Sequence, residues 1–521
     1  MKKILLCFNL LFLFNQAIYG IGSDSLVYFN ELKFESEEEK KAFEHINFVK
    51  QDAELLRLFL SSSLYQKSAD AQSILRNFTR DLNNKIADKN EVDKIKIIKG
   101  KVKKTFLKTY QSKCNFSEIF ESGTYNCISS IAIYGFIFSE LKIPYYIKED
   151  LNSIFIITYP ESKKVVIESG TTEKNCFTYA EHFMNKFTKS MYYARIVPLE
   201  EFEKGYSEAL FSTYYFTSSP VSLLQLASIL YCNLSLTASD ERKTQEAIYY
   251  MQKSYYLDAS LNNKMVLKYH ILNALGSNNY TNKIDVEKLV YLNRYNNLKD
   301  VEINAELILS EYSRLLNAQL TDQLNIGVME KYQSMLVKST SDSALKSELG
   351  FKYHFGIATK ALNNWTEKKI ETKHIQAAYK IKPNDKDLQS LITESFNISI
   401  QQAEDSEKLL KLLDDYCRQF EFVCSRNSTI LLKANCYLDL AYNNFIKGLA
   451  KEGQEFINSS ELLCKNNAVV PDAEFVEKGY VSAAKYFYNT GNRSKAKEYL
   501  NKGLQLAPES KLIQDKLKMV N

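Results

Sequence analysis

From about residue 220 onward the sequence carries apolar residues at helical spacing and never leaves that pattern, which predicts an all-helical second half. The clearest unit comes last. A helix entered at Tyr480, a turn at Gly491, a second helix carrying Ala496 and Gly503, and a terminating Pro508 follow one another. Proline cannot continue a helix because it has no N–H to donate. Ala496 and Gly503 are small enough to let two helices approach, while Phe487, Tyr499 and Leu500 fill the space between repeats. Only 16 Gly and 7 Pro occur among 521 residues, so tight turns are few and helix is extensive. The abundant Tyr and Phe then belong to cores and grooves.

Weaker copies follow the same logic. One surrounds Ala247, one ends at Pro383 after Gln376, and one spans Tyr437 to Cys464 with Gly448 near its turn. Together these units resemble the tetratricopeptide repeat. The resemblance implies an all-α, tetratricopeptide-like helical solenoid over 216–521 and a concave surface for a protein or peptide partner.

At the other end, Lys2 and Lys3 precede a largely apolar run from Ile4 to Phe14, and small residues follow at Gly20, Gly22 and Ser23. This order predicts a secretory signal peptide over 1–20, cleaved near Gly20, and an exported product that is periplasmic, cell-surface or secreted. The run is shorter than the roughly 20 residues a membrane span needs, and no later segment is apolar for that long, so no integral membrane span is expected. A formal net charge of +5, with acidic and basic residues interspersed, gives no reason to expect nucleic acid or an anionic membrane as a partner.

Nine cysteines occur, and loss of Cys7 with the leader leaves Cys114, Cys127, Cys176, Cys232, Cys417, Cys424, Cys436 and Cys464. Outside the cytosol these permit disulfides. Cys417 and Cys424, which bracket a short aromatic stretch, are a candidate pair; most of the others read as buried apolar residues. None has C-x-x-C spacing and none lies beside a histidine, so no metal site is expected, and no cofactor is implied.

The length exceeds what one hydrophobic core organises, roughly 250 to 300 residues. Two domains are therefore expected, 21–215 and 216–521. Leu32 to Leu60, with Glu37, Glu38 and Glu39 in its first turns, reads as one helix; Asp70 to Ile86 and Val92 to Tyr110 read as two more. Tyr145–Ile147, Ile154–Ile157 and Val165–Ile167 are short β-rich runs, with Lys163 and Lys164 as the turn between the last two. Helices first and an antiparallel hairpin afterwards predict an α+β domain.

Within it, Gly123-Thr-Tyr125-Asn126-Cys127 delivers a cysteine to the start of a helix, and Lys142-Ile-Pro144 turns into the first strand. A helix N-terminus favours a thiolate, and its unpaired N–H groups are able to stabilise an oxyanion. Over roughly residues 90 to 215 the sequence resembles the transglutaminase-like cysteine superfamily, a papain-like fold, and in particular exported bacterial proteins that join this domain to tetratricopeptide repeats. The resemblance implies a nucleophile, a histidine on the next strand and an acid on the strand after that. Cys127 matches the nucleophile position and Glu168 the acidic one, whereas Ser153 stands where the histidine should be.

A serine hydroxyl cannot accept the thiol proton near neutral pH, where imidazole, titrating at about 6.5, can. His182 is the histidine nearest in sequence and the candidate alternative base; His45, His270, His354 and His374 read as packing or surface residues. Tyr125, Asn126 and Asp150 either line a retained cleft or hold the loop by hydrogen bonds. Two functions follow. One is a non-catalytic interaction scaffold with a degenerate transglutaminase-like domain. The other is a cysteine-dependent peptidase, amidase or acyl-transferase acting through Cys127. A lectin-like surface protein is permitted by the plentiful tyrosines without being favoured, Trp365 being the only tryptophan.

Overall fold

The computed structural model describes residues 26–46, 52–62, 68–149, 154–168, 184–185, 188–189, 191–192, 197–204, 207–215, 220–298, 303–320, 325–363 and 368–520. The chain divides into two compact units, Met1–Gln319 with Gly327–Leu349, and Leu320–Ile326 with Gly350–Asn521. Residue 215, where the return to a helical pattern placed the boundary, falls inside the first unit.

The first unit is built around one helix, Cys127–Glu140. Its sequence is apolar on every face, and a helix of that kind has to be enclosed; all residues from Cys127 to Phe138 are buried. The helices Asp52–Ser61, Ser68–Ile86 and Leu223–Asp240 pack against it, together with strands β3 (Tyr145–Glu149) and β4 (Ile154–Thr158). Strand β5 (Val165–Glu168) completes an antiparallel sheet in the order β3-β4-β5. The runs expected to be strands therefore are strands, and Lys164, at φ 48°, lies in the turn before β5.

The stretch expected as a single helix over Leu32–Leu60 instead holds two described helices, Glu37–Ile46 and Asp52–Ser61. The first begins late because Ser36 caps it: the Ser36 hydroxyl accepts the N–H of Glu39 at 3.0 Å, and Glu39 Oε2 accepts the N–H of Glu35 at 2.7 Å. Ser36 is thus the N-cap, and Glu39 reaches back one residue beyond it to tie down Glu35 ahead of the helix. The helix expected over Val92–Tyr110 is Glu91–Thr105, and Tyr110 belongs to strand β1 (Thr109–Tyr110).

The segment from Leu26 to Ile46 packs on the helices beyond residue 220, which explains why the unit runs past 215. Glu39 and Lys253, each 1% exposed, form an ion pair at 2.8 Å. Tyr231 donates its hydroxyl to the same carboxylate at 2.8 Å. Phe34, Tyr231 and Tyr250 surround the ammonium at 5.4–5.9 Å. Nearer the chain start, Arg294 donates to both carboxylate oxygens of Glu31 and to the Leu26 carbonyl, at 2.6–2.7 Å. Its guanidinium lies against the rings of Tyr28 and Tyr291.

The second unit is a succession of helical hairpins. Ala473–Asn489 packs on its hairpin partner Arg493–Leu506 and on Asn427–Ile446 of the preceding hairpin. Gly448 and Gly491, at φ +81° and +83°, make the turns. The small residues lie at close approaches: a Cβ on Gly503 would sit 3.0 Å from Tyr480 Cβ, and Ala496 is fully buried. Phe487 stacks on Tyr499 with centroids 5.6 Å apart. Cys417 and Cys424 form a disulfide, as their spacing suggested.

His354 and His374 also meet in this region, Nδ1 to Nδ1 at 3.0 Å, so one imidazole donates and the other accepts. Burial lowers the pKa of both, joined by the Lys373 charge, and that of His374, which also feels His354, falls to about 4. The unfolded chain, titrating near 6.5, therefore takes up protons first, and the contribution of this pair to stability is complete above about pH 6.5 and lost as pH falls toward 4. Acidifying from pH 7 to 4.5 is expected to lower the urea midpoint of the second unit more in the native protein than in His374→Phe; an equal fall in both would remove the pair from the cause.

Candidate functional site

The loop before Cys127 is shaped by Gly123, whose φ of +78° belongs to the left-handed region. A Cβ there would also lie 2.7 Å from Lys108 Cγ, so the position has no room for a side chain. The Gly123 carbonyl accepts the N–H groups of Lys108 and Thr109 at 2.8 and 3.2 Å. This sets β1 parallel to β2 (Thr124–Tyr125), with Thr109 opposite Thr124 and Tyr110 opposite Tyr125. Asn126 then caps the helix. Its Oδ1 accepts the Ser129 N–H at 2.9 Å, Ser129 Oγ accepts the Asn126 N–H at 2.8 Å, and its Nδ2 donates to the Cys114 carbonyl at 3.1 Å. Tyr125 packs edge-on against Tyr110. Asn126 thus holds the loop by hydrogen bonds.

Cys127 is the first residue of the helix, as expected, and it is 2% exposed. Its sulfur is disulfide-bonded. The Tyr110 hydroxyl lies 3.3 Å from Sγ. A sulfur held in a disulfide carries no thiolate, and attack on a carbonyl needs one. The two described neighbours, Tyr110 and Cys114, are not bases at neutral pH. Burial raises the Tyr110 phenol above its ordinary range, with Cys114 and Tyr125 adding to the effect. Burial likewise pushes the Cys114 thiol up to about 12, with the Glu118 charge contributing. Both groups stay protonated at neutral pH.

The acidic position is separated from the cysteine by the pleat of the sheet. Register pairs Ile147 with Ile156 and Ile156 with Ile167, and these three residues are buried on one face. Tyr145 shares that face and reaches the helix, its hydroxyl 3.0 Å from Ser139 Oγ and its ring 5.9 Å from that of Phe138. Side chains alternate along a strand, so Glu168, next to Ile167 and opposite Phe155, projects from the other face and is exposed. Cys127 and Glu168 are thus not brought together on the side that the helix covers. Asp150, Ser153 and His182 lie outside the described residues.

Tyr110 and Cys114 are the neighbours of this site that the sequence reading missed. Extending the preceding helix through Tyr110 hid the β1–β2 pairing that sets Tyr110 beside Cys127. Among the described residues no group of three or more His, Cys, Asp or Glu side chains is arranged to hold a metal ion, and no helix is long and apolar enough to cross a membrane. No protein-family model and no curated protein matches the chain.

Proposed function

We propose that this chain is an exported, non-catalytic interaction scaffold in which a degenerate transglutaminase-like domain is joined to tetratricopeptide-like helical repeats that take a protein or peptide partner. The observation that carries the reading is the state of Cys127: buried, disulfide-bonded and without Glu168 on its side of the sheet. The helical hairpins of the second unit support the repeat assignment, with small residues at their close approaches and glycine at their turns. The disulfides support export, since such bonds persist in oxidising compartments.

Amidase and acyl-transfer assays on the purified, oxidised protein with peptide substrates test the reading. No turnover above buffer is expected, and the Cys127→Ala variant should behave identically. Hydrolysis or cross-linking by the native protein that disappears in Cys127→Ala would replace the scaffold with a cysteine enzyme.

A further inference from the structure

The helix Glu91–Thr105 packs on the first unit through Ile95, Ile98 and Val102, all buried, and Phe106 continues that side. From Lys94 to Lys108 the chain holds seven lysines and no carboxylate. Six of them, Lys96, Lys99, Lys101, Lys103, Lys104 and Lys108, are exposed. At 3.6 residues per turn the helical ones are spread over the whole arc that the apolar residues leave free. A Cβ on Gly100, in the middle of that arc, would meet nothing within 4 Å, so this side of the helix is open.

The fold enlarges the basic area. Ser162 donates its hydroxyl to Glu91 at 2.7 Å, which sets the turn between β4 and β5 beside the first turn of the helix and brings the exposed Lys163 and Lys164 with it. Few carboxylates answer these charges. Asp93 lies 3.7 Å from Lys96, the only one of the six with such a partner within 4 Å on its own helix among the described residues. Asp81, on the preceding helix, is held by Lys85. Over the helix and the turn, nine lysines stand against Glu91, Asp93 and Glu161, a local excess larger than the formal +5 of the entire chain. The mixing of charges read along the chain as a whole does not hold over this face.

Like charges three and four residues apart on a helix repel, as Lys96 and Lys99, Lys99 and Lys103, and Lys101 and Lys104 do here. Folding gains nothing from that arrangement, whereas a dense positive field attracts an anionic partner. The details select the kind of partner. The run contains no arginine, whose planar fork reads a single phosphate or carboxylate; lysine ammonium groups act as point charges. Its one aromatic residue, Phe106, is buried, so nothing is offered for a base or a sugar ring to stack on. The lysines cover a helix about 22 Å long and wrap around its open side, an area and not a pocket. With Ile95, Ile98 and Val102 enclosed, the helix has no apolar face left to insert.

We infer that this face docks the first unit onto an anionic lipid bilayer, adsorbed by charge alone. A flat, dense array of negative headgroups complements a broad field of lysines, and each lysine near such a surface adds to the attraction. Adsorption of this kind needs no membrane span, and none of the described helices is long and apolar enough to provide one.

Co-sedimentation of the purified, oxidised protein with vesicles tests the inference. Vesicles of phosphatidylcholine with about 30% phosphatidylglycerol are expected to bind it, and phosphatidylcholine alone to bind it roughly tenfold more weakly or less. Raising salt from about 50 to about 300 mM should weaken binding roughly tenfold or more, because screening shortens the reach of exposed charges. Lys96→Gln with Lys99→Gln, Lys103→Gln and Lys104→Gln should produce a similar loss, with an unfolding midpoint equal to or above the native one because repelling pairs are removed. Removing as many charges from the second unit, by Lys485→Gln with Lys497→Gln, Lys511→Gln and Lys516→Gln, should leave binding unchanged. Equal binding to both kinds of vesicle, binding indifferent to salt, or an equal loss in the two sets of variants would overturn the inference. Saturable binding of polyglutamate without binding to either vesicle would also overturn it, and would assign the face to an acidic protein.

Discussion

Glu39→Ala is expected to destabilise the first unit by about 3–5 kcal/mol, the cost of leaving a buried charge without its partner. Lys253 would lose the only ion-pair partner within 4 Å that the described residues give it, while remaining enclosed at 1% exposure among Phe34, Tyr231 and Tyr250. The Tyr231 hydroxyl, also buried, would lose its acceptor. The effect reads as a lower urea midpoint for the first unit. A second variant isolates the cause. Replacing both partners, Glu39→Met with Lys253→Met, removes the charge along with its counterion and should recover most of the loss, because apolar replacement of a whole buried pair is often close to neutral. If Glu39→Ala unfolded at the native midpoint, the attachment of Leu26–Ile46 to the later helices would not depend on this pair.

Phe59→Ala is expected to cost a similar amount, about 3–5 kcal/mol, by opening a cavity at the centre of the same unit. Phe59 is fully buried, with ring centroids 5.1 Å from Phe116 and 5.5 Å from Phe136. It therefore joins the helix Asp52–Ser61 both to the turn before the Gly123 loop and to the enclosed helix that Cys127 begins. Phe59→Leu, which keeps most of the volume, should lose much less. Hydrogen exchange supplies a second readout: in Phe59→Ala the amides of Cys127–Glu140 should exchange faster. Unchanged protection there would mean that the central helix does not rely on this aromatic contact.

What the sequence reveals and what it hides follow from the range of the forces concerned. The hairpins of the second unit were legible because their determinants are local: Gly448 and Gly491 at turns, Gly503 where a Cβ would press on Tyr480, and the fully buried Ala496. The strands were legible from their β-branched runs, and the position of Cys127 from the Gly-Thr-Tyr-Asn entry that shapes a loop and caps a helix. The packing of Leu26–Ile46 was not legible. Glu39 sits among Glu37 and Glu38 and reads as one more acidic residue favoured by a helix N-terminus, and Lys253 reads as an ordinary helical lysine. Their burial depends on partners more than two hundred residues apart, which no periodicity records.

Glu168 is an instructive intermediate case. The resemblance assigned it the acidic role, whereas the alternation of Val165-Val166-Ile167-Glu168 already implied that it and Ile167 face opposite ways. The parity of the strand carried that information without family knowledge.

The central claim is that Cys127 is a structural cysteine and not a nucleophile. It is tested most directly by the rate at which iodoacetamide modifies Cys127 in the native, oxidised protein between about pH 6 and 9, the range over which a free thiol near 8.5 ionises. The account predicts no modification of Cys127 across that range, with labelling appearing only after reduction and unfolding. Rapid modification near neutral pH in the folded, unreduced protein would show an accessible thiolate at the head of the helix and contradict it.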